Sequence, residues 1–460
     1  MKKLFYILLL LCPVTVCAQL NWDKSSPLYS WINVGNAGFS AGEGHYISIA
    51  FNQAGDPYVA YQDWGNNWHA TVIKFNGTNW VNVGNAGFSA NVVYWTKIAF
   101  SPSDGQPYVA YEDAATFNKA TVMKFDGTQW VNVGNAGFTA GISDCTSLTF
   151  SPSGQPYVAY VDEENSFKVS VMKFDGTNWV YVGAAGFSIA ESWRPNLAFS
   201  YSGQPYIAFE DGGDYSRASV MKFDGTNWVY VGNEGFSAGM VQYTSLAFNP
   251  ADSLPYVAYE DAMYSYKAIV KKFDGTNWVY VGNAGFSAGS VAFMNLAISQ
   301  AGEPYVAFQD SLNSAKATLM KFNGTNWVYV GNAGFSAGAA LWASFAFSPS
   351  EQPFVAYADG GNLNKATVMK YDSVMVGVSE SAKLYFSIYP NPSSYQITIE
   401  TSANPSKSQL SISNINGQEL ITRQITASKT QLDISSLPSG VYFVRLTSEK
   451  SVVTGKFIKQ

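Results

Sequence analysis

Residues 255–288 read PYVAYEDAMYSYKAIVKKFDGTNWVYVGNAGFSA, and close variants of its parts recur seven times along the chain. Trp31, Trp80, Trp130, Trp179, Trp228, Trp278 and Trp327 open the "WVYVGNAGFSA" part, at intervals of 49, 50, 49, 49, 50 and 49 residues. Pro57, Pro107, Pro156, Pro205, Pro255, Pro304 and Pro353 open the "PYVAYED" part. Self-similarity at a fixed period of this length marks stacked units, each burying its apolar faces against its neighbours.

Every unit carries four strand signals. Thr244–Asn249, Tyr256–Asp261, Ala120–Phe125 and Trp228–Gly232 exemplify them, rich in β-branched and aromatic residues and bounded by Gly, Pro, Asn, Asp or Ser. "SPSGQP" (Ser151–Pro156) reads as the turn between the first two, and "DGTN" or "NGTN" as a tight hairpin between the last two. Four antiparallel strands at this period predict propeller blades. Blades cover each other on both faces, which accounts for strands with little polar alternation. The expected fold is therefore all-β: a seven-bladed β-propeller, followed by a small C-terminal β-sandwich.

The count of Trp strands decides how the ring closes. Six units are followed by one, from Trp80 to Trp327, whereas the seventh is followed by none. Trp31–Gly35, at the other end, has no unit of its own. The N-terminal strand is thus expected to complete blade seven, with residues 374–378 as the alternative occupant. The "FDGTNW" hairpin resembles the blades of Kelch and galactose-oxidase-like propellers. It is also similar to the Asp-box of sialidase-like propellers, with Asp-x-Gly contracted to Asp-Gly. The resemblance spans residues 31–372 and implies architecture rather than activity.

The tail has different phrases. "YPNPSS" (Tyr389–Ser394), "LSISNINGQEL" (Leu410–Leu420), "LDISSLPSGVYFVRL" (Leu432–Leu446) and "GKFIK" (Gly455–Lys459) occur in that order. They resemble the type A sorting domain of type IX secretion cargo in Bacteroidota. The resemblance implies recognition by the type IX secretion machinery at the outer membrane. It also implies removal of the tail and release of the body or its attachment to the cell surface. Lys2, Lys3, the apolar run Leu4–Leu11 and the small residues before Gln19 read as a secretory signal, too short to span a bilayer. The expected organisation is a signal peptide at 1–18, a lead-in at 19–30, the propeller at 31–372, a linker at 373–382 and the sorting domain at 383–460.

Charge narrows the partners. Residues 19–378 hold 17 basic and 28 acidic side chains, a sum of −11, whereas 379–460 hold 8 and 5, a sum of +3. An acidic body repels phosphate backbones, so no nucleic acid is expected as a partner. No later segment is long and apolar enough to span a membrane. Cys12 and Cys17 leave with the signal, and Cys145 alone cannot form an intramolecular disulfide.

Two rings of residues are candidates for function. Asp63, Asp113, Asp162, Asp211, Asp261, Asp310 and Asp359 end every second strand, and a basic residue follows six positions later in each copy (His69, Lys119, Lys168, Arg217, Lys267, Lys316, Lys365). This ring reads as structural, an ion pair or a loop cap at the hairpin mouth. A second ring precedes each first strand: Tyr46, Trp95, Cys145, Arg194, Tyr243, Phe293 and Trp342, with Trp193 beside Arg194. Aromatic platforms among polar groups suit sugar rings, and they serve equally to fill space between blades. No metal, cofactor or catalytic constellation stands out. Only Arg194 and Arg217 are available where a sialidase needs clustered arginines, and a copper site of two His, two Tyr and a crosslinked Cys is incomplete. The reading is a secreted or surface-attached, non-catalytic module for glycan or protein. The alternatives are a polysaccharide-active glycosidase or lyase, using acids such as Glu163, Glu164, Glu191 or Asp214, and a surface structural or adhesion protein.

Overall fold

The computed structural model describes residues 28–374, 386–401, 408–447 and 452–460. The expected signal peptide, most of the lead-in and nearly all of the linker lie outside the described residues. Two compact units emerge, one built from Leu28–Val374 and the other containing the C-terminal strands.

The first unit is a propeller of seven four-stranded antiparallel sheets. Blade one runs outward from Gly44–Phe51 through Pro57–Asp63 and His69–Phe75 to Trp80–Asn82. Blade seven runs from Ala340–Phe347 through Pro353–Asp359 and Lys365–Val374 to an outermost strand taken from the other end of the chain, Leu28–Asn33. That strand pairs antiparallel over six residues, with Trp31 opposite Tyr371. The N-terminal strand therefore closes the ring.

Middle strands are covered on both faces: Val257, Ala258 and Tyr259 are fully buried, as are Val158, Ala159 and Tyr160. Near-continuous burial makes the apolar runs sterically necessary rather than merely tolerated. The hairpins between third and fourth strands have four residues, not two. Asp126 Oδ1 accepts from the backbone N–H groups of Thr128 and Gln129 at 2.8 Å each, so the aspartate caps the loop.

The repeated tryptophan links blades. Trp80 Nε1 donates to the carbonyl of Val34, Trp130 to Val83, Trp179 to Val133 and so on around the ring, until Trp31 donates to Val330 at 2.8 Å. Each indole also stacks on the phenylalanine of the preceding "NAGF" phrase, as Trp31 does on Phe335 at 3.8 Å and Trp179 on Phe138 at 4.2 Å. The glycine of "VGNAG" follows from this contact. Gly331 has φ of +74°, and a Cβ there lies 3.0 Å from the Trp31 ring and 2.9 Å from the Tyr371 ring.

In the second unit, Phe386–Tyr389, Gln396–Thr401 and Lys429–Asp433 form one sheet. Ser408–Ser413, Glu419–Ile425, Gly440–Thr447 and Val452–Lys459 form the other. Between them lies a core of Ile397, Ile399, Leu410, Ile412, Leu432, Val444, Leu446 and Phe457. "NINGQ" is the turn that splits the second tail phrase into two strands. "SSLPSG" splits the third, and there Tyr442 Oη donates to the carbonyl of Pro438.

Candidate functional site

The inner strand of every blade is irregular at the same place. In blade one His45 faces Gln62 and Ser48 faces Ala60, so Tyr46 and Ile47 together oppose the single residue Tyr61. All seven blades carry this β-bulge, and its first residue is in the left-handed region, with φ between +49° and +54°. Glycine ordinarily fills such a position. Here it holds Tyr46, Trp95, Cys145, Arg194, Tyr243, Phe293 and Trp342. Non-glycine side chains, six of them large, held in a strained conformation seven times over direct attention to what the strain aims them at.

They are aimed at the propeller axis, where all seven line one cavity of about 240 Å³. Its wall is a continuous aromatic arc. Tyr46 lies 4.8 Å from Trp95 and 4.5 Å from Trp342, Trp342 lies 5.1 Å from Phe293, and Phe293 lies 5.2 Å from Tyr243. The Arg194 guanidinium closes the arc, 4.5 Å over the Tyr243 ring, and pairs with Glu210 at 2.8 Å. The rest of the lining is mixed: Thr96, Thr146, Ser147, Asn196, Thr244, Ser245 and Asn295 stand among Ile47, Pro195, Met294 and Ala343, and the three threonine hydroxyls donate to the carbonyls of Tyr46, Trp95 and Arg194. Six of the seven wall residues are only partly buried; Cys145 is buried, which pushes its thiol well above the ordinary range.

Trp193 is outside this cavity. It lines an adjoining cleft with Asp144, Arg194, Glu210 and Gln242. A third cleft, which shares Trp95 and Asp144 with the second, holds Glu112 and Glu163. Burial, with the neighbouring charge of Asp144 adding to it, pushes the Glu112 carboxyl up to about 8. Burial likewise pushes Glu260 up to about 8, Arg194 opposing and Glu210 reinforcing the shift. Both carboxyls are therefore protonated at neutral pH.

Six of the seven strand-ending aspartates cap their loops by accepting a backbone N–H, while Asp162 makes no such cap and accepts from side chains, Asn165 Nδ2 and Ser170 Oγ among them. Asp63 accepts from the Gly65 N–H at 3.0 Å, Asn66 Nδ2 at 2.7 Å and Thr71 Oγ1 at 2.9 Å. Asp113 accepts from the Ala115 N–H and Thr121 Oγ1, both at 2.9 Å. Among the described residues none of them forms an ion pair with the basic residue six positions on. Arg217 meets Asp214 instead, and His69 meets the carbonyl of Ser89. The aspartates are buried and bonded within their loops, whereas the basic residues opposite them across the strand pair are only partly buried.

Those loops place apolar side chains in solvent around the same face: Phe117 is 86% exposed, Tyr215 84% and Leu363 80%. Of the other acids considered, Glu163, Glu164 and Glu191 are exposed loop residues and Asp214 is taken by Arg217. Sequence reasoning missed Lys97, a second basic residue in the cavity lining. The signal was present: the equivalent residue in every other copy is serine or asparagine.

Residues 387–460 match the secretion system C-terminal sorting domain family. The protein is thus a type IX secretion cargo, destined for the cell surface or the exterior. Among the described residues no helix is long and apolar enough to cross a membrane. No sequence among proteins of curated function matches the chain. Among solved structures, it is similar to PorZ, a bacterial surface component of the type IX secretion system of Porphyromonas gingivalis, at 15% identity and a TM-score of 0.48. That match covers 92% of this chain but only 60% of PorZ. It is also similar to the Aleuria aurantia lectin solved with Fucα1-6GlcNAc (14% identity, TM-score 0.43, 65% of this chain and 97% of the lectin). A Penicillium chrysogenum α-L-arabinanase solved with arabinobiose shows 12% identity and a TM-score of 0.42, covering 76% of this chain and 99% of the enzyme.

Proposed function

We propose that the protein is a cell-surface or released carbohydrate-binding module that engages a glycan through the bulge face of the propeller. One observation carries the reading: seven strained bulges converge seven side chains, five of them aromatic and six partly exposed, on one axial cavity whose lining also carries hydroxyl and amide groups. Apolar faces of sugar rings stack on such walls while their hydroxyls find partners below. Packing alone gives no reason to place Trp95 and Trp342 in a left-handed conformation.

Glycan-array screening of the full chain, followed by titration of Trp95→Ala and Trp342→Ala, tests this. Affinity is expected to fall tenfold or more in each variant. Saturable glycan binding indifferent to both substitutions would remove the cavity from the reading. A second reading, polysaccharide cleavage, is favoured by Glu112, an acid held protonated at neutral pH beside Asp144 and Trp95. Turnover on a polysaccharide panel, lost in Glu112→Gln, is its signature.

A further inference from the structure

One group in the axial cavity has no counterpart in the other blades. Where blade two has Lys97, four of the other copies have Ser48, Ser147, Ser245 and Ser344, and two have asparagine. The short side chain ties its blade to the next. Ser48 Oγ accepts from the Ile98 N–H at 3.2 Å, Ser147 Oγ from Leu197 at 3.3 Å, and Ser245 Oγ from Leu296 at 3.0 Å. An ammonium has no lone pair to offer, so Lys97 forfeits this bond at the junction of blades two and three.

Among the described residues nothing compensates the exchange: no hydrogen bond or ion pair reaches the amine, and desolvation lowers its pKa, with only Cys145 opposing. The acids nearby do not neutralise it. Glu210 is committed to Arg194, Glu112 is protonated at neutral pH, and Asp144 lines the adjoining clefts rather than the cavity. The result is a lysine amine without a partner among the described residues, in a body whose overall charge is −11 (17 basic against 28 acidic residues), and burial leaves its charged form to be stabilised by an anion brought into the cavity.

We infer that the cavity takes a carboxylate-bearing sugar, a uronic acid residue of an acidic glycan, with Lys97 as the counter-ion of the carboxylate. The inference rests on the glycan reading of this face and names the class of sugar. Trp95 and Trp342 supply the surface for the ring, and the hydroxyl and amide groups among the lining residues supply hydrogen-bond partners. A neutral sugar can accept a hydrogen bond from the amine but brings no charge to balance its ammonium form. A phosphate dianion needs more positive charge than one lysine beside an already paired arginine provides.

The probes are oligomers of galacturonate and of glucuronate, each titrated beside its methyl ester, which keeps the ring and removes the charge. The full chain is expected to bind at least one acid ten times or more tighter than its ester, and less tightly as salt rises. Lys97→Met and Lys97→Ser are expected to abolish that preference while their thermal midpoints match or exceed the parent's. Equal binding of acid and ester, or an acid preference that survives both substitutions, would overturn the inference. So would binding of a neutral glycan with no uronate bound, an outcome that leaves the glycan reading standing. Absence of binding to any glycan would overturn both.

Discussion

Truncating Trp31 tests whether the ring is held by the same contact at its seam as elsewhere. Trp31 is 8% exposed, donates Nε1–H to Val330 and stacks on Phe335. Trp179, inside the continuous chain, is also 8% exposed and makes the equivalent bond to Val133 and stack on Phe138. A buried Trp→Ala change costs about 3–5 kcal/mol. Orphaning the accepting carbonyl adds roughly 1 kcal/mol or more. Both variants should therefore lose about 5 kcal/mol, a large share of the ~5–15 kcal/mol that holds a typical domain. Twelve of the 13 tryptophans of the sequence lie between residues 31 and 342 and none lies in the tail, so fluorescence during urea unfolding reports chiefly the propeller. Trp31→Ala should also speed amide exchange across the Leu28–Asn33 strand, which has no chain continuity with its blade to fall back on. If Trp31→Ala stays within about 1.5 kcal/mol of the parent while Trp179→Ala loses its full share, the seam is not held as the shared contacts require.

Two further outcomes follow from the buried acids. Asp113→Ala removes the acceptor of the Ala115 N–H and Thr121 Oγ1, and should cost about 2–4 kcal/mol in urea unfolding. Asp113→Asn, which keeps one acceptor oxygen, should cost less, and an alanine variant as stable as the parent would refute the capping role. Glu112 and Glu260 titrate near 8 when folded and near 4.3 when unfolded, so between those values the folded state holds more protons. Stability should therefore fall as pH rises from about 5.5 to 8, by at most about 1.4 kcal/mol per pH unit per group. Glu112→Gln should flatten that decline in thermal midpoint, and a midpoint that climbs across this window in the parent would contradict the assignment.

The period of the tryptophans and prolines determined the all-β class and the seven blades, because each copy reports the same local physics. It favoured closure of the last blade by the first strand but left residues 374–378 as a rival, and the pairing of Leu28–Asn33 with Lys365–Val374 decided the matter. The four tail phrases were equally legible, since strand alternation and turn chemistry are local. The bulge was not. Tyr46, Trp95 and Trp342 are aromatic whether they fill a gap between blades or line a cavity, and only the two-against-one register and the positive φ show them turned to the axis. Nor was the partner of the aspartate ring. Six residues of separation fit an ion pair as well as a cap, and the bonds of the buried aspartates within their loops decided between them. Lys97 lay between these cases. Its departure from serine was written in the alignment of the copies, but that it enters a cavity with nothing to pair with is a property of seven strands meeting at one axis, which no single strand contains.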